Sequence, residues 1–176
     1  MLMHIIIDGY NLIRQSDFLR RHEKQSLAAG RQALILNLSE YKRKKRHNIT
    51  VVFDGWESGS AQEERDRQGN INIIYSRRGE KADDVIKKLA DSSSEETIIV
   101  SSDREIVSYV TRRGRTALSS IEFETLMCKA IVEPSISDFT AEKEADDEID
   151  YPSSKKGPAK RLPRAKRHKQ TKIKKL

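Results

Sequence analysis

The segment His4-Ile-Ile-Ile-Asp8-Gly-Tyr-Asn11 decides the fold, because three consecutive isoleucines run straight into an aspartate, a glycine and an asparagine. A β-branched apolar run with no polar alternation predicts a strand covered on both faces, as in a parallel sheet between helical layers. The pattern recurs downstream. Ile49-Thr-Val-Val-Phe53 runs into Asp54-Gly55, Ile71-Asn-Ile-Ile-Tyr75 into Ser76, and Thr97-Ile-Ile-Val100 into Ser101-Ser102-Asp103, with a weaker fifth run at Thr116-Ala-Leu118.

Helical patterns fill the intervals. Leu27, Leu34, Leu38 and Tyr41 form one stripe over about residues 25–45, which closes on the basic run Lys42-Arg-Lys-Lys-Arg46. Cations in a last turn oppose the helix dipole, so this run reads first as a solvated helix end and second as a nucleic-acid contact. Residues 80–91 give a second helix. Ser102 with Glu105, and Ser119 with Glu122, have capping-box spacing and open a third helix ending near Gly114 and a fourth ending near Ile131. Residues 55–70, rich in Gly, Ser and charge, read as a loop above the sheet. The alternation predicts a doubly wound α/β domain over about residues 3–132 with strand order 3-2-1-4-5.

Four aspartates occupy equivalent places in this layout. Asp8 follows strand one, Asp54 strand two and Asp103 strand four, while Asp83 lies in the first turn of the helix after strand three. In an open parallel sheet these positions share the carboxyl edge, where ligands bind at the reversal of strand order. Strand one is the reversal strand in the 3-2-1-4-5 order, so Asp8 is expected to gather the other three. Crowded carboxylates repel unless a cation neutralises them. Mg²⁺ or Mn²⁺ fits, because Cys128 is the single cysteine and His4, His22, His47 and His168 are scattered, leaving oxygen as the donor. Asn11 offers an amide to ligate or orient a metal-bound water, and Gly9 a close approach for phosphate. Asp83 borders the apolar stripe Ala82, Val85, Ile86, Leu89, whereas Asp84 points further toward solvent. Each aspartate alone also reads as a helix cap or turn residue.

Charge divides the chain. Eleven of the 34 basic residues fall in 151–176, which has no Asp or Glu, so the other 23 face 27 acidic residues and the remainder carries −4. An acidic stretch (Asp138, Glu142, Glu144, Asp146, Asp147, Glu148, Asp150) separates the two. The expected organisation is a domain over 1–133, an acidic linker or short helix over 134–150, and a disordered basic tail over 151–176. A single cysteine excludes an internal disulfide framework. No apolar run approaches the roughly 20 residues of a membrane span, and the opening Met1-Leu-Met-His lacks the form of a secretory leader, so a cytoplasmic protein is expected.

The motifs Ile5-Ile-Ile-Asp8-Gly-Tyr-Asn11-Leu-Ile, Val51-Val-Phe-Asp54-Gly, Tyr75-Ser-Arg-Arg-Gly79-Glu-Lys-Ala-Asp83 and Val100-Ser-Ser-Asp103-Arg resemble the YacP-like branch of the NYN domains, relatives of the PIN nucleases. The resemblance covers about residues 3–131. It implies a three-layer α/β/α PIN-like fold and a metal-dependent ribonuclease, similar to bacterial ribosome-associated endoribonucleases that cut mRNA. Carried over by motif position, Asp8 and Asp83 are the leading catalytic residues, with Asn11, Asp54 and Asp103 completing the site and the four aspartates holding the metal. One departure is Lys81, where the family often has Thr.

An acidic site needs cations around it to hold a polyanion. Arg14, Arg77, Arg78 and Arg104 stand near the proposed edge in sequence, and Arg suits bidentate phosphate contact. Tyr10 and Trp56 could stack on bases or simply pack. In the tail, Lys160, Arg161, Arg164, Lys166 and Arg167 suit salt-sensitive binding to RNA phosphates, mRNA or rRNA. Two functions therefore compete: an endoribonuclease, and a noncatalytic RNA- or ribosome-binding adaptor whose affinity resides in the tail.

Overall fold

In the computed structural model the chain divides into two compact units, Met1–Val132 and Glu133–Leu176. The structure describes residues 3–55, 62–93, 96–132, 164–173 and 176. The first unit is built on β1 (His4–Asp8), β2 (Asn48–Phe53), β3 (Glu64–Gln68), β4 (Ile71–Tyr75), β5 (Thr97–Val100) and β6 (Thr116–Leu118), in the order β3-β4-β2-β1-β5-β6. The five strands foreseen from the sequence are mutually parallel and keep the 3-2-1-4-5 arrangement.

The exception is β3, which pairs antiparallel with β4 and makes the sheet mixed. Part of the stretch expected as a loop is therefore a strand. All five residues of Glu64-Arg-Asp-Arg-Gln68 are exposed, so no apolar alternation marks them. The usable signal was Gly69-Asn70, which takes φ of 54° and 64°, the positive-φ pair of a two-residue hairpin. Its charged side chains also suit an edge strand, where they discourage pairing with another chain.

Among the described residues six helices complete the first unit: α1 (Gly9–Gln15), α2 (Asp17–Glu23), α3 (Leu27–Lys45), α4 (Ala82–Ser92), α5 (Arg104–Arg112) and α6 (Ser120–Val132). On one face, α4 and α5 lay Val85, Ile86, Ala90, Ile106 and Val110 over Ile6, Val52, Ile74 and Ile99. On the other, α3 packs on α6, with Tyr41 edge-on to Phe123 at 5.6 Å. Ile5, Ile6 and Ile7 are wholly buried, which accounts for the unbroken apolar run; each contributes about 1.5–3 kcal/mol.

Helices α1 and α2 left little trace in the sequence because seven residues show barely two turns of periodicity. Ser16 joins them, its hydroxyl accepting from the Leu19 N–H at 3.2 Å. The capping box at Ser119 and Glu122 forms, with Ser119 N–H donating to Glu122 Oε2 at 3.1 Å and Glu122 N–H to Ser119 Oγ at 3.3 Å. For α5 the cap is Asp103, not Ser102.

In the second unit, residues Arg164–Ile173 form helix α7, which corrects the expectation of disorder throughout 151–176. After Pro163 the sequence Arg-Ala-Lys-Arg-His-Lys-Gln contains only residues compatible with helix and no Gly or Pro. Trp56, the acidic stretch 138–150, Lys160 and Arg161 lie outside the described residues. Among the described residues no helix is long and apolar enough to cross a membrane.

Candidate active site

Strand register sets the relative level of the aspartates. Asp8 pairs with Val52, so Asp54 lies two residues further along; Ile7 pairs with Val100, so Ser101 is level with Asp8 and Asp103 is again two residues beyond. Asp8 thus stands at the floor of a notch, with Asp54 and Asp103 past the ends of the flanking strands. Asp83 enters from the first turn of α4.

Asp8 is only 8% exposed. Its Oδ1 accepts from the Asn11 backbone N–H at 3.2 Å and its Oδ2 from the Ser101 hydroxyl at 3.0 Å. Burial pushes its carboxyl up to about 6, Asp83 and Asp54 push the same way, and the two hydrogen bonds oppose them. The Asp83 carboxyl is also raised, first by burial and then by Asp103, while Asp54 and Glu105 add to the effect and Lys87 opposes it. Neither oxygen of Asp83 takes a hydrogen bond from the described residues. Asp83 is half-buried and its neighbour Asp84 exposed.

Asp54 and Asp103 each cap a helix. Asp54 Oδ1 accepts from the Ala82 N–H at 2.7 Å, capping α4 where the Lys81 side chain makes no capping bond. The strand-end carboxylate thereby fills the place of the hydroxyl missing at position 81. Asp103 Oδ1 accepts from the N–H groups of Glu105 and Ile106 at 2.7 and 3.4 Å, and its own N–H donates to Ser101 Oγ at 3.1 Å. All three strand-end aspartates are therefore helix caps, as the capping reading of the sequence expects.

Asn11 is tied differently from expectation. Its Oδ1 accepts from Ser102 N–H at 2.9 Å and Ser120 Oγ at 2.8 Å, while Ser102 Oγ accepts from Ser120 N–H at 3.1 Å. The amide oxygen thus fastens α1 to the ends of β5 and β6, as a positioning group. Ser101 and Ser120, both wholly buried, were missed as site residues. Their signal was the pair of Ser-Ser dipeptides closing strand runs four and five.

Among the described residues no group of three or more His, Cys, Asp or Glu side chains is placed to hold a metal ion. The donor chemistry nevertheless fits a hard ion: all donors are carboxylate oxygens, and Asp8 and Asp83 carry an affinity for protons raised first by burial and then by neighbouring carboxylates. Mg²⁺ keeps several waters and commonly takes only one or two carboxylates.

The glycines serve packing. At Gly9 a Cβ would stand 2.3 Å from the Phe53 ring, so packing alone requires glycine there. At Gly55 a Cβ would fall 1.8 Å from the Ser76 carbonyl oxygen, and its N–H donates to Ser76 Oγ at 3.0 Å. Gly55→Ala is expected to cost about 1–3 kcal/mol by overpacking and to displace Asp54. A thermal melt matching the parent chain would exclude this.

Of the arginines foreseen as RNA contacts, Arg14 pairs with Glu23 at 3.4 Å and stacks over Tyr10, and Arg77 pairs with Glu80 at 3.1 Å. Arg78 and Arg104 are exposed. Arg164, Lys166 and Arg167 belong to α7, in the second unit. Sequence reading missed Arg31, which donates to the Tyr10 hydroxyl at 2.7 Å and lies over the Tyr75 ring at 5.8 Å.

The Asp8 carboxyl has a stability consequence. Its value is about 6 in the folded chain against 3.8 ordinarily, so the folded state binds more protons and stability falls as pH rises across that window. With chelator present the loss from this group is on the order of 3 kcal/mol. Asp8→Asn should flatten the change in melting temperature between pH 4.5 and 7; an unaltered pH dependence would refute the assignment.

The profile of the YacP-like NYN domain matches residues 5–175. The protein YacP of Bacillus subtilis (strain 168) is 28% identical over 88 residues, 50% of this chain and 51% of that protein. The chain therefore matches over about half the length of that curated relative. The crystal structure of Rae1 (YacP) from Bacillus subtilis superposes with a TM-score of 0.59 at 24% identity, covering 72% of this chain and 74% of that one. A mutant form gives 0.60 at 22%, covering 73% and 77%. These likenesses show a shared fold.

Proposed function

The chain belongs to the YacP-like NYN domain family, a nuclease-type domain, and from that premise we propose that it is a metal-dependent endoribonuclease hydrolysing RNA phosphodiester bonds. Messenger RNA in a ribosome-associated setting is the proposed substrate. One observation carries the reading: a buried carboxylate, Asp8, is kept among Asp54 and Asp83 with its proton affinity raised.

Asp8 and Asp83 would hold Mg²⁺ or Mn²⁺, with Asp54 and Asp103 in support. The bound ion would lower the pKa of a water and neutralise charge on the scissile phosphate. The remaining roles fall to the chain. Ser101 and the Asn11 N–H fix the plane of the Asp8 carboxylate. The Asn11 side chain holds the strand ends around it. Asp83, without a hydrogen bond from the described residues, would keep both oxygens available to the ion, and exposed Arg78 and Arg104 would offer phosphate contacts.

The basic helix α7 favours a second reading, a noncatalytic RNA- or ribosome-binding adaptor. The two separate on one assay, in which full-length chain is incubated with RNA, free or on programmed ribosomes, with Mn²⁺, Mg²⁺ or chelator. Internal cuts that need the metal are expected. Binding without cuts on both substrates would leave the adaptor.

A further inference from the structure

At the amino end of the strands, remote from Asp8, a groove of about 840 Å³ lies between the end of α3 and the β3–β4 turn. Lys42 and Arg43 from α3, its cap Arg46, and Arg67 from β3 line it, against one carboxylate, Glu40. None of the seven ion pairs among the described residues engages any of these four cations. Helix-dipole complementation explains the cations at the end of α3. It does not explain Arg67, which comes from another element.

Asn70, at the left-handed turn of the hairpin, holds the two elements together. Lys42 Nζ donates to its backbone oxygen and Arg67 Nη2 to its side-chain oxygen at 3.4 Å. Burial, and then the Arg67 guanidinium, lower the Lys42 ammonium below its usual range. Like charges from two separate elements are thus kept close by the fold. This mirrors the carboxylate notch: one edge calls for a cation, the other for an anion.

We propose that this groove is a second binding site, for the phosphodiester backbone of RNA, in which Arg43, Arg46 and Arg67 contact phosphates and Lys42 and Asn70 hold the arrangement. A polyanion rather than a single phosphate fits because the cations are spread along a groove on two elements. From Asn48 to Phe53, β2 spans roughly 17 Å at about 3.3 Å per residue. About five stacked nucleotides at about 3.4 Å each bridge that length, so one RNA could occupy both edges. The site does not depend on Asp8 being catalytic.

The test is fluorescence anisotropy of full-length chain with a 30-nucleotide RNA, on the order of ten times the contact length, across a salt series. Arg43→Gln/Arg46→Asn/Arg67→Gln is compared with the parent; Asn at 46 tolerates the left-handed cap. Loss of three phosphate contacts should reduce the logarithmic salt slope by about 2 and weaken binding about tenfold or more at 0.1 M salt. All titrations are run in chelator, where no metal-dependent cleavage proceeds, which separates this site from cleavage. Unchanged affinity and slope in the triple variant overturn the proposal. So does an equal loss in Arg43→Lys/Arg67→Lys, which keeps the charge, or equal competition by a poly-glutamate peptide, which would assign the groove to acidic protein.

Discussion

Asp8→Asn and Asp83→Asn are each expected to lower metal-dependent RNA cleavage by about a hundred- to a thousand-fold or more while the chain stays folded. Both substitutions keep side-chain size and remove a charge, so the lost activity should come without lost structure. For Asp8 the stability effect should have the opposite sign. With chelator at neutral pH, Asp8→Asn should melt higher than the parent, because a buried carboxylate whose pKa is raised to about 6 costs the folded state. Adding Mn²⁺ or Mg²⁺ should raise the parent's melting temperature and leave that of the variant nearly unchanged. Cleavage within a few-fold of the parent in both variants would remove these residues from the site.

Asn11→Ala should be the second large effect. It strips the acceptor from the Ser102 N–H and the Ser120 hydroxyl together, and an unsatisfied buried group costs about 1–3 kcal/mol. A total loss of about 2–3 kcal/mol is expected in chelator, with cleavage falling about a hundredfold as the notch loosens. The chelator condition decides the role of Asn11. A residue acting only as a ligand would leave the metal-free melt unchanged, and that result would return Asn11 to the metal.

How far the site was legible depended on how local its determinants are. Asp8, Asp54 and Asp103 could be placed on one edge because each directly follows an apolar run, or nearly so, and parallel strands end alike. The preference for Asp83 over Asp84 came from helical periodicity, and the half-buried and exposed states of the two agree with it. Strand β3 escaped because its stability comes from pairing with β4 and from a turn, not from burial of its own side chains. Helix α7 escaped because composition was read as disorder where each residue also tolerates helix. The bonds of Asn11 to Ser102 and Ser120 escaped because nothing near it in sequence reveals these partners.

The sequence by itself determined the βα alternation, the carboxyl-edge aspartates and the concentration of basic residues in 151–176 beyond an acidic stretch. Each of these rests on short-range chemistry, in β-branched runs, capping residues and charge counts. Only the tertiary structure decided that Asp8 is buried, that Ser101 and Asn11 anchor its surroundings, and that Arg67 joins the Lys42–Arg46 run. Ser101 lies 93 residues from Asp8, and Ser120 lies 109 from Asn11. Partners that remote meet only when strand order and register bring their ends level, so their bonds carry no local mark in the chain.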